Sequence, residues 1–352
     1  MVADTIGFGV FVNDYLDGSY NRCGVYSLTV KANETIIYQL KLDEISFAEG
    51  RYVLSHMDYE LNAKSRIKAH KCFIDDGNRF NGYKQQSNNG KLYVAAGETK
   101  TIEITATDVY GNQSKLVFDI EGTAATQIAE KPAAAKILYP GQINHFQSNA
   151  AIVDFPYDAL YTKVYFNYEE LPGETHFFSN LHKIHDPYTP LHKHYNLRLK
   201  TTPAAAALEK KLYLARIYDN GKTGVATSNV RLEEDWAAMR IREFGTFALM
   251  ADTIAPEITL KNIAENKDMA AETGISVTIK DNETGIKSYD GYINGSWVLF
   301  QYDAKNDLIQ YDFDDKMPEG EKFDLKLIVS DAKDNTTIKT LNFSRSTSTS
   351  RK

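Results

Sequence analysis

The chain has 352 residues, with 40 Lys plus Arg against 47 Asp plus Glu, a net charge of −7. This mild acidity, without any basic block, excludes a broad phosphate-binding surface, so no nucleic-acid partner is expected. No run of about 18 apolar residues occurs, so no transmembrane helix is expected, and 2 Cys cannot staple a disulfide-dense scaffold.

A length of this size suggests two or three domains. The 22 tyrosines suit half-buried sheet faces. The first eight residues, Met1-Val2-Ala3-Asp4-Thr5-Ile6-Gly7-Phe8, lack the basic and apolar regions of a signal peptide. They read as the start of a strand, and whether Met1 is a true start or the chain is a fragment stays open.

The first segment, 1–122, reads as an immunoglobulin-like β-sandwich module with a helical insertion. Ser46 with Glu49 fits a capping box. Phe47, Leu54, Met57 and Leu61 then predict one apolar helix face. The segment closes on a strand over 101–107, the turn Asp108-Val109-Tyr110-Gly111-Asn112, and a returning strand over 115–120. Cys23 and Cys72 lie in this segment, either paired or as two free thiols.

Residues 123–135 are small and polar without periodicity, as a linker should be. The middle segment, 136–250, reads as a second β-sandwich module. With Pro132 at its border it holds seven of the nine prolines. Strands are predicted over 150–156, 161–166, 195–199, 212–218 and 244–250. Pro203 opens either a short helix or an extended loop.

The third segment, 251–343, repeats the scheme of the first. A strand over 324–329 leads into Ser330-Asp331-Ala332-Lys333-Asp334-Asn335, and 337–343 returns. The openings also correspond: Asn13-Asp14-Tyr15-Leu16-Asp17-Gly18 matches Asp281-Asn282-Glu283-Thr284-Gly285. The linker Asp252-Thr253-Ile254-Ala255-Pro256 is short, so the second and third modules should touch. Residues 344–352 read as a disordered tail. The expected fold class is all-β: three tandem immunoglobulin-like β-sandwich modules with one or two short helices.

Histidine is the one concentrated chemical group: His176, His182, His185, His192 and His194 lie within 19 residues. If His192-Lys193-His194 sits on a strand, both imidazoles face one side and can share a metal, with Asp186 or Glu174 as a further ligand. The alternative is a Tyr- and His-rich loop edge with solvated rings. Asp75-Asp76, Asp312-Phe313-Asp314-Asp315 and the Asp-rich turns offer oxygen ligands for calcium at module ends, or simply satisfy local backbone donors. His70 with Cys72 is a close pair in sequence, which is not what a Cys-His dyad requires. Trp236 and Trp297 are either packed residues or a sugar-stacking platform. No Gly-x-Ser-x-Gly and no Gly-rich phosphate loop is present. We therefore assign no catalytic, cofactor-binding or metal-binding residue, no cofactor, and no enzyme activity.

An ordered series of short motifs then becomes informative. Ile6-Gly7-Phe8-Gly9-Val10, Asp14-Tyr15-Leu16-Asp17-Gly18, Gly24-Val25-Tyr26, Asp58-Tyr59-Glu60 and Lys71-Cys72-Phe73 come first. Pro190-Leu191-His192-Lys193, Phe244-Gly245-Thr246-Phe247, Asp252-Thr253-Ile254-Ala255-Pro256 and Gly285-Ile286-Lys287-Ser288-Tyr289 follow. In this order they resemble the region downstream of the catalytic domain in lysostaphin-like cell-wall zinc metallopeptidases of Bacteroidetes-type bacteria (peptidase family M-twenty-three). That family's zinc site uses a His-x-x-x-Asp pair and a later His-x-His in an N-terminal β domain. His192-Lys193-His194 falls in the downstream region instead, so no catalytic residue carries over.

The resemblance implies a non-catalytic accessory region that positions or anchors a peptidoglycan-directed endopeptidase. It also implies an envelope or periplasmic location, peptidoglycan or envelope proteins as partners, and a chain that begins after its export signal and catalytic domain. The alternative is a stand-alone immunoglobulin-like surface adhesin or glycan-binding protein.

Overall fold

A computed structural model describes residues 2, 4–16, 18–124 and 132–345. Residues 125–131 of the expected linker and 346–352 of the expected tail lie outside the described residues. The chain is all-β, with tandem β-sandwich modules and short helical turns, as the period-two patterns predict. Its contacts divide it into two compact units. The first holds Met1–Glu169, Lys183–Leu197 and Arg240–Gly245; the second holds Glu170–His182, Arg198–Met239 and Thr246–Lys352. Residues expected to form the middle module are thus shared between the two units.

In the first unit, a five-stranded sheet runs in the order Gln113–Glu121, Thr99–Thr107, Ser27–Ala32, Thr35–Lys41, Tyr83–Gln86, all antiparallel. Alternation decides which side is buried. Ile102, Ile104 and Ala106 point inward, onto Leu28, Val30 and Leu40. Asn33 at φ 53° makes the tight turn between two of these strands, a conformation Asn tolerates. Farther along the chain the same unit buries an aromatic cluster of Phe155, Phe166, Tyr195 and Phe244, with centroids 4.9–6.1 Å apart.

The insertion after this sheet's second strand differs from the predicted single helix. It is a 3-10 turn over Phe47–Tyr52, a four-residue helix Val53–His56, and a helix Tyr59–Ser65. Ser46 does cap it, accepting from Ala48 N at 3.2 Å, but the Glu49 carboxylate accepts from Asn81 N instead of closing the box. Phe47 is fully exposed, and the buried residues of the Val53–His56 helix are Ser55 and His56. The apolar stripe failed as a guide because the segment breaks at Met57, whose ψ of 150° is extended. Asp58 then starts a new helix, its Oδ1 accepting from Leu61 N at 2.9 Å.

In the second unit, the strand Leu212–Ile217 pairs with Thr223–Thr227 and Gly245–Ala251. The Pro203 segment is a 3-10 turn, Pro203–Lys211, with proline at its start. The terminal sandwich packs a four-stranded sheet on a five-stranded one. Its core includes Val277, Ile279, Ile293, Leu325, Leu327 and Val329, all at most 1% exposed. Gly291 is required on the inner face, since a Cβ there would lie 2.3 Å from the Phe300 ring.

Candidate functional site: an aromatic and acidic cleft

A cleft of about 200 Å³ opens in the first unit beside the helix Tyr59–Ser65. Tyr59 and Tyr188 line it, the fully buried Tyr161 lies at its base, and Asp58, Glu60 and Lys71 supply charge above the buried Asp75. Asp58 is fixed as the helix cap, and its own N–H donates to Ala69 O at 2.9 Å. Glu60 pairs with Lys64 at 2.5 Å, and that ammonium lies 4.5 Å from the Tyr188 ring centroid. The Glu60 carboxylate raises the Lys64 pKa, so the charge persists at neutral pH.

The wall opposite is held by hydrogen bonds that reach far along the chain. Arg51 donates to Leu191 O at 2.7 Å and to His192 O at 3.2 Å. Tyr161 donates to Arg51 O at 2.7 Å, and its burial pushes the phenol up to about 12. The Tyr52 ring stacks on His192 at 4.6 Å with planes 12° apart. Burial lowers the His192 pKa, with Lys193 and Arg51 adding to it.

Beneath the cleft lies a buried polar nest. Ser55 donates to Asp75 Oδ2 at 2.6 Å, and Lys71 pairs with the same carboxylate. His56 Nε2 meets His70 Nδ1 at 2.8 Å, and Tyr83 Oη lies 3.3 Å from His56 Nδ1. Asn78 Nδ2 donates to Tyr83 Oη and to Tyr52 O, both at 3.1 Å. Burial holds His56 down at about 3 and lowers His70, so both rings are neutral at pH 7.

The sequence candidates fall as follows. His192 and His194 are not on a strand, since the strand begins at Tyr195, so the premise of a same-face pair fails. Asp186 accepts from Tyr188 N, and Glu174 lies 3.7 Å from His176. His185 Nδ1 accepts from Asn167 N at 3.4 Å, so its Nε2 carries the proton and donates to Thr189 Oγ1 at 3.2 Å. That tautomer cannot take a proton from the threonine. Cys23 and Cys72 are free thiols. Burial pushes Cys72 up to about 12, which leaves no useful thiolate. Trp297 is 55% exposed with its Nε1 on Asp290 at 3.2 Å, while Trp236 is half-buried.

Among the described residues, one group of three metal-capable side chains converges: Asp252, Asp281 and Asp331 in the second unit, their carboxylate oxygens within 4.8 Å of one another. Neither Asp75-Asp76 nor the 312–315 run belongs to such a group. Much of the lone-pair capacity is used locally. Asp281 accepts from Glu283 N and Gly285 N, and Asp331 from Lys333 N and Asn335 N. Sequence reading missed both this convergence and the tyrosine cleft, since their members lie far apart in the chain. The local turn residues were the available signal for the former.

Residues 135–252 match the model of a Zu5-like domain. No curated protein matches the chain. Among solved structures, the chain is similar to the fibronectin(III)-like modules of Clostridium thermocellum CbhA, at 11% identity over 74% of this chain and 91% of that one, with a TM-score of 0.23. It is also similar to a Ca²⁺-stabilized adhesin with which an Antarctic bacterium binds ice (12% identity, 97% and 69% coverage, TM-score 0.18). A third is the Bacteroides ovatus SGBP-B protein, in complex with a mixed-linkage heptasaccharide (10% identity, 98% and 64% coverage, TM-score 0.15).

Proposed function

We propose that the chain is a non-catalytic binding protein whose cleft, flanked by Tyr59 and Tyr188, takes one sugar ring of an envelope glycan. The observation that carries this reading is the pairing of aromatic faces with carboxylates in one cleft. Ring faces stack on the apolar side of a sugar, and carboxylates accept from its hydroxyls. The volume of about 200 Å³ is below the roughly 300–1,000 Å³ of drug-sized pockets, which favours a single ring over a long oligomer. The ordered motifs that resemble cell-wall peptidases support peptidoglycan as the first glycan to test. They also support a second reading, an accessory region that positions such a peptidase at the envelope.

Retention on purified peptidoglycan, compared with a panel of soluble glycans, tests the proposal. The wild-type chain should be retained on at least one glycan, and Tyr188→Ala and Glu60→Gln should each weaken retention several-fold. Retention that neither variant changes removes the cleft from the reading. Retention only on glycans foreign to the cell wall favours a surface adhesin over the accessory role.

A further inference from the structure

The strand Gln113–Glu121 is the last of its five-stranded sheet and pairs there with Thr99–Thr107 alone. The hydrogen bonds at its two ends show which residues point to its other edge. Asp108 N donates to Asn112 O and Gly122 N to Glu98 O, so the even-numbered residues bond inward, to Thr99–Thr107. Val2 N donates to Glu121 O at 2.8 Å and Thr123 N to Val2 O at 2.7 Å, so the odd-numbered residues face outward. Val2 covers the edge at Glu121. Among the described residues no strand pairs with the rest of it, along Gln113, Lys115, Val117 and Asp119.

This edge is self-complementary about Val117. Set antiparallel against the same strand of a second copy, Val117 meets Val117, Lys115 meets Asp119 in both halves, and Leu116 meets Phe118. Outward residues then stand opposite outward residues, the condition for each pair to exchange both N–H···O=C bonds. Leu116 and Val117, 59% and 57% exposed, gain cover on the inner and outer faces. The charges are available: Lys115 lies 3.7 Å from Glu103, which Lys31 also reaches at 3.5 Å, and Asp119 accepts through Oδ1 from Thr101 Oγ1. Other registers are worse. Centring on Lys115 or Asp119 opposes like charges. Centring on Leu116 sets Lys115 opposite Val117, and centring on Phe118 sets it opposite Glu121, where Val2 holds the carbonyl.

The equivalent strand of the terminal sandwich, Thr336–Ser344, is closed to such pairing. Lys267–Asp268 pairs with Phe343–Ser344, and Asn266 N donates to Asn342 O at 2.7 Å. Counted from Asn335 as from Asn112, Lys339 stands on the inner face where the first hairpin has Leu116, opposite Leu327 as Leu116 is opposite Ile104. An inward-pointing charge keeps an edge strand from pairing, and Leu116 provides none. We propose that the Gln113–Glu121 edge is the interface of a two-fold homodimer, in which the sheet of one copy runs on into the sheet of the other. The edge shares no residue with the tyrosine cleft, so the two proposals stand or fall independently.

The test is sedimentation velocity of the full chain from about 1 to 300 μM, because one pair of edge strands is small beside the roughly 1,200–2,000 Å² of stable complexes and a Kd of about 10–100 μM is expected. Val117→Pro removes the central outward N–H, which an edge strand tolerates, and should leave the chain monomeric throughout. Lys115→Asp places like charges opposite each other twice and should weaken the dimer about tenfold. Adding Asp119→Lys to it should restore the wild-type Kd, a rescue specific to this register that decides the matter if Val117→Pro misfolds. A wild-type chain that stays monomeric, a folded Val117→Pro chain that dimerises like wild type, or a charge exchange that restores nothing overturns the proposal.

Discussion

Met269, Ile275, Ile293 and Leu327 are fully buried in the terminal sandwich, and its polar burial is confined to one end, at Asp331 and Lys333. The first unit instead buries Ser55, His56, His70, Asp75 and Asn78 directly beneath its helical insertion. The two regions share a hairpin scheme but differ in what closes the sandwich. Sheet on sheet needs only apolar side chains from two inner faces. A short, broken helical segment brings unsatisfied backbone and polar side chains with it, and these must find partners out of water. Asn78 Nδ2 on Tyr52 O is one such partner. The lesson is that the first unit depends on a polar network, and therefore on protonation state, where the terminal sandwich depends on volume.

Truncation in the apolar core gives the largest effect. Leu327→Ala should cost about 2–5 kcal/mol in denaturant unfolding, through lost burial plus the cavity left behind. A cost under about 1 kcal/mol would mean that the terminal core is loosely packed. Next is Asp75→Ala, which should cost about 3 kcal/mol because the buried Ser55 and the mostly buried Lys71 are left without their acceptor. If Asp75→Asn behaves as wild type, the charge is irrelevant and only the hydrogen bond matters.

Acid should separate the two regions. The folded pKa values of His56 and His70 lie below the ordinary 6.5, so the unfolded chain binds protons first. Their contribution is whole above that value and is lost as pH falls from about 6.5 toward about 3, the value for His56. For His56 the loss approaches about 1.4 kcal/mol per pH unit within that window, and His70 adds to it in the same direction. No histidine follows His194. Hydrogen-exchange protection factors, taken relative to the intrinsic rate at each pH, should therefore fall between pH 7 and 5 in Val53–His56 and His70–Lys71 while the hairpin Lys322–Asp331 with Thr336–Ser344 keeps its protection. Equal loss in both regions would refute the comparison. The smallest effect is at Trp297, 55% exposed: Trp297→Ala should change stability by no more than about 0.5 kcal/mol. It should also remove the tryptophan emission most readily quenched by iodide.

Much of the fold was legible in local patterns. The alternation at Ile102, Ile104 and Ala106 fixes one buried face, and the Asp-x-x-x-Asn turns fix where each long hairpin reverses. The helical insertion was legible in place but not in form. Its capping serine is real, whereas Phe47 is exposed and His56 buried, since an apolar stripe guides a segment only if the helix runs unbroken. The same limit applied to His192 and His194, where the same-face argument needed a strand from His192 and the strand starts three residues later, at Tyr195.

The sequence by itself determined the all-β class, the hairpin repeat and the residues able to make the tight turns, because each depends on neighbours within a few positions. Only the tertiary structure decided that Arg51 grips the carbonyls of Leu191 and His192, that Tyr59, Tyr161 and Tyr188 share one cleft, and that Asp252 is seated on Asn335. The hydrogen bonds among these join residues some 80 to 140 positions apart. Nothing in a period of two or 3.6 encodes them. They arise when whole modules bury their faces and bring distant loops within hydrogen-bond reach.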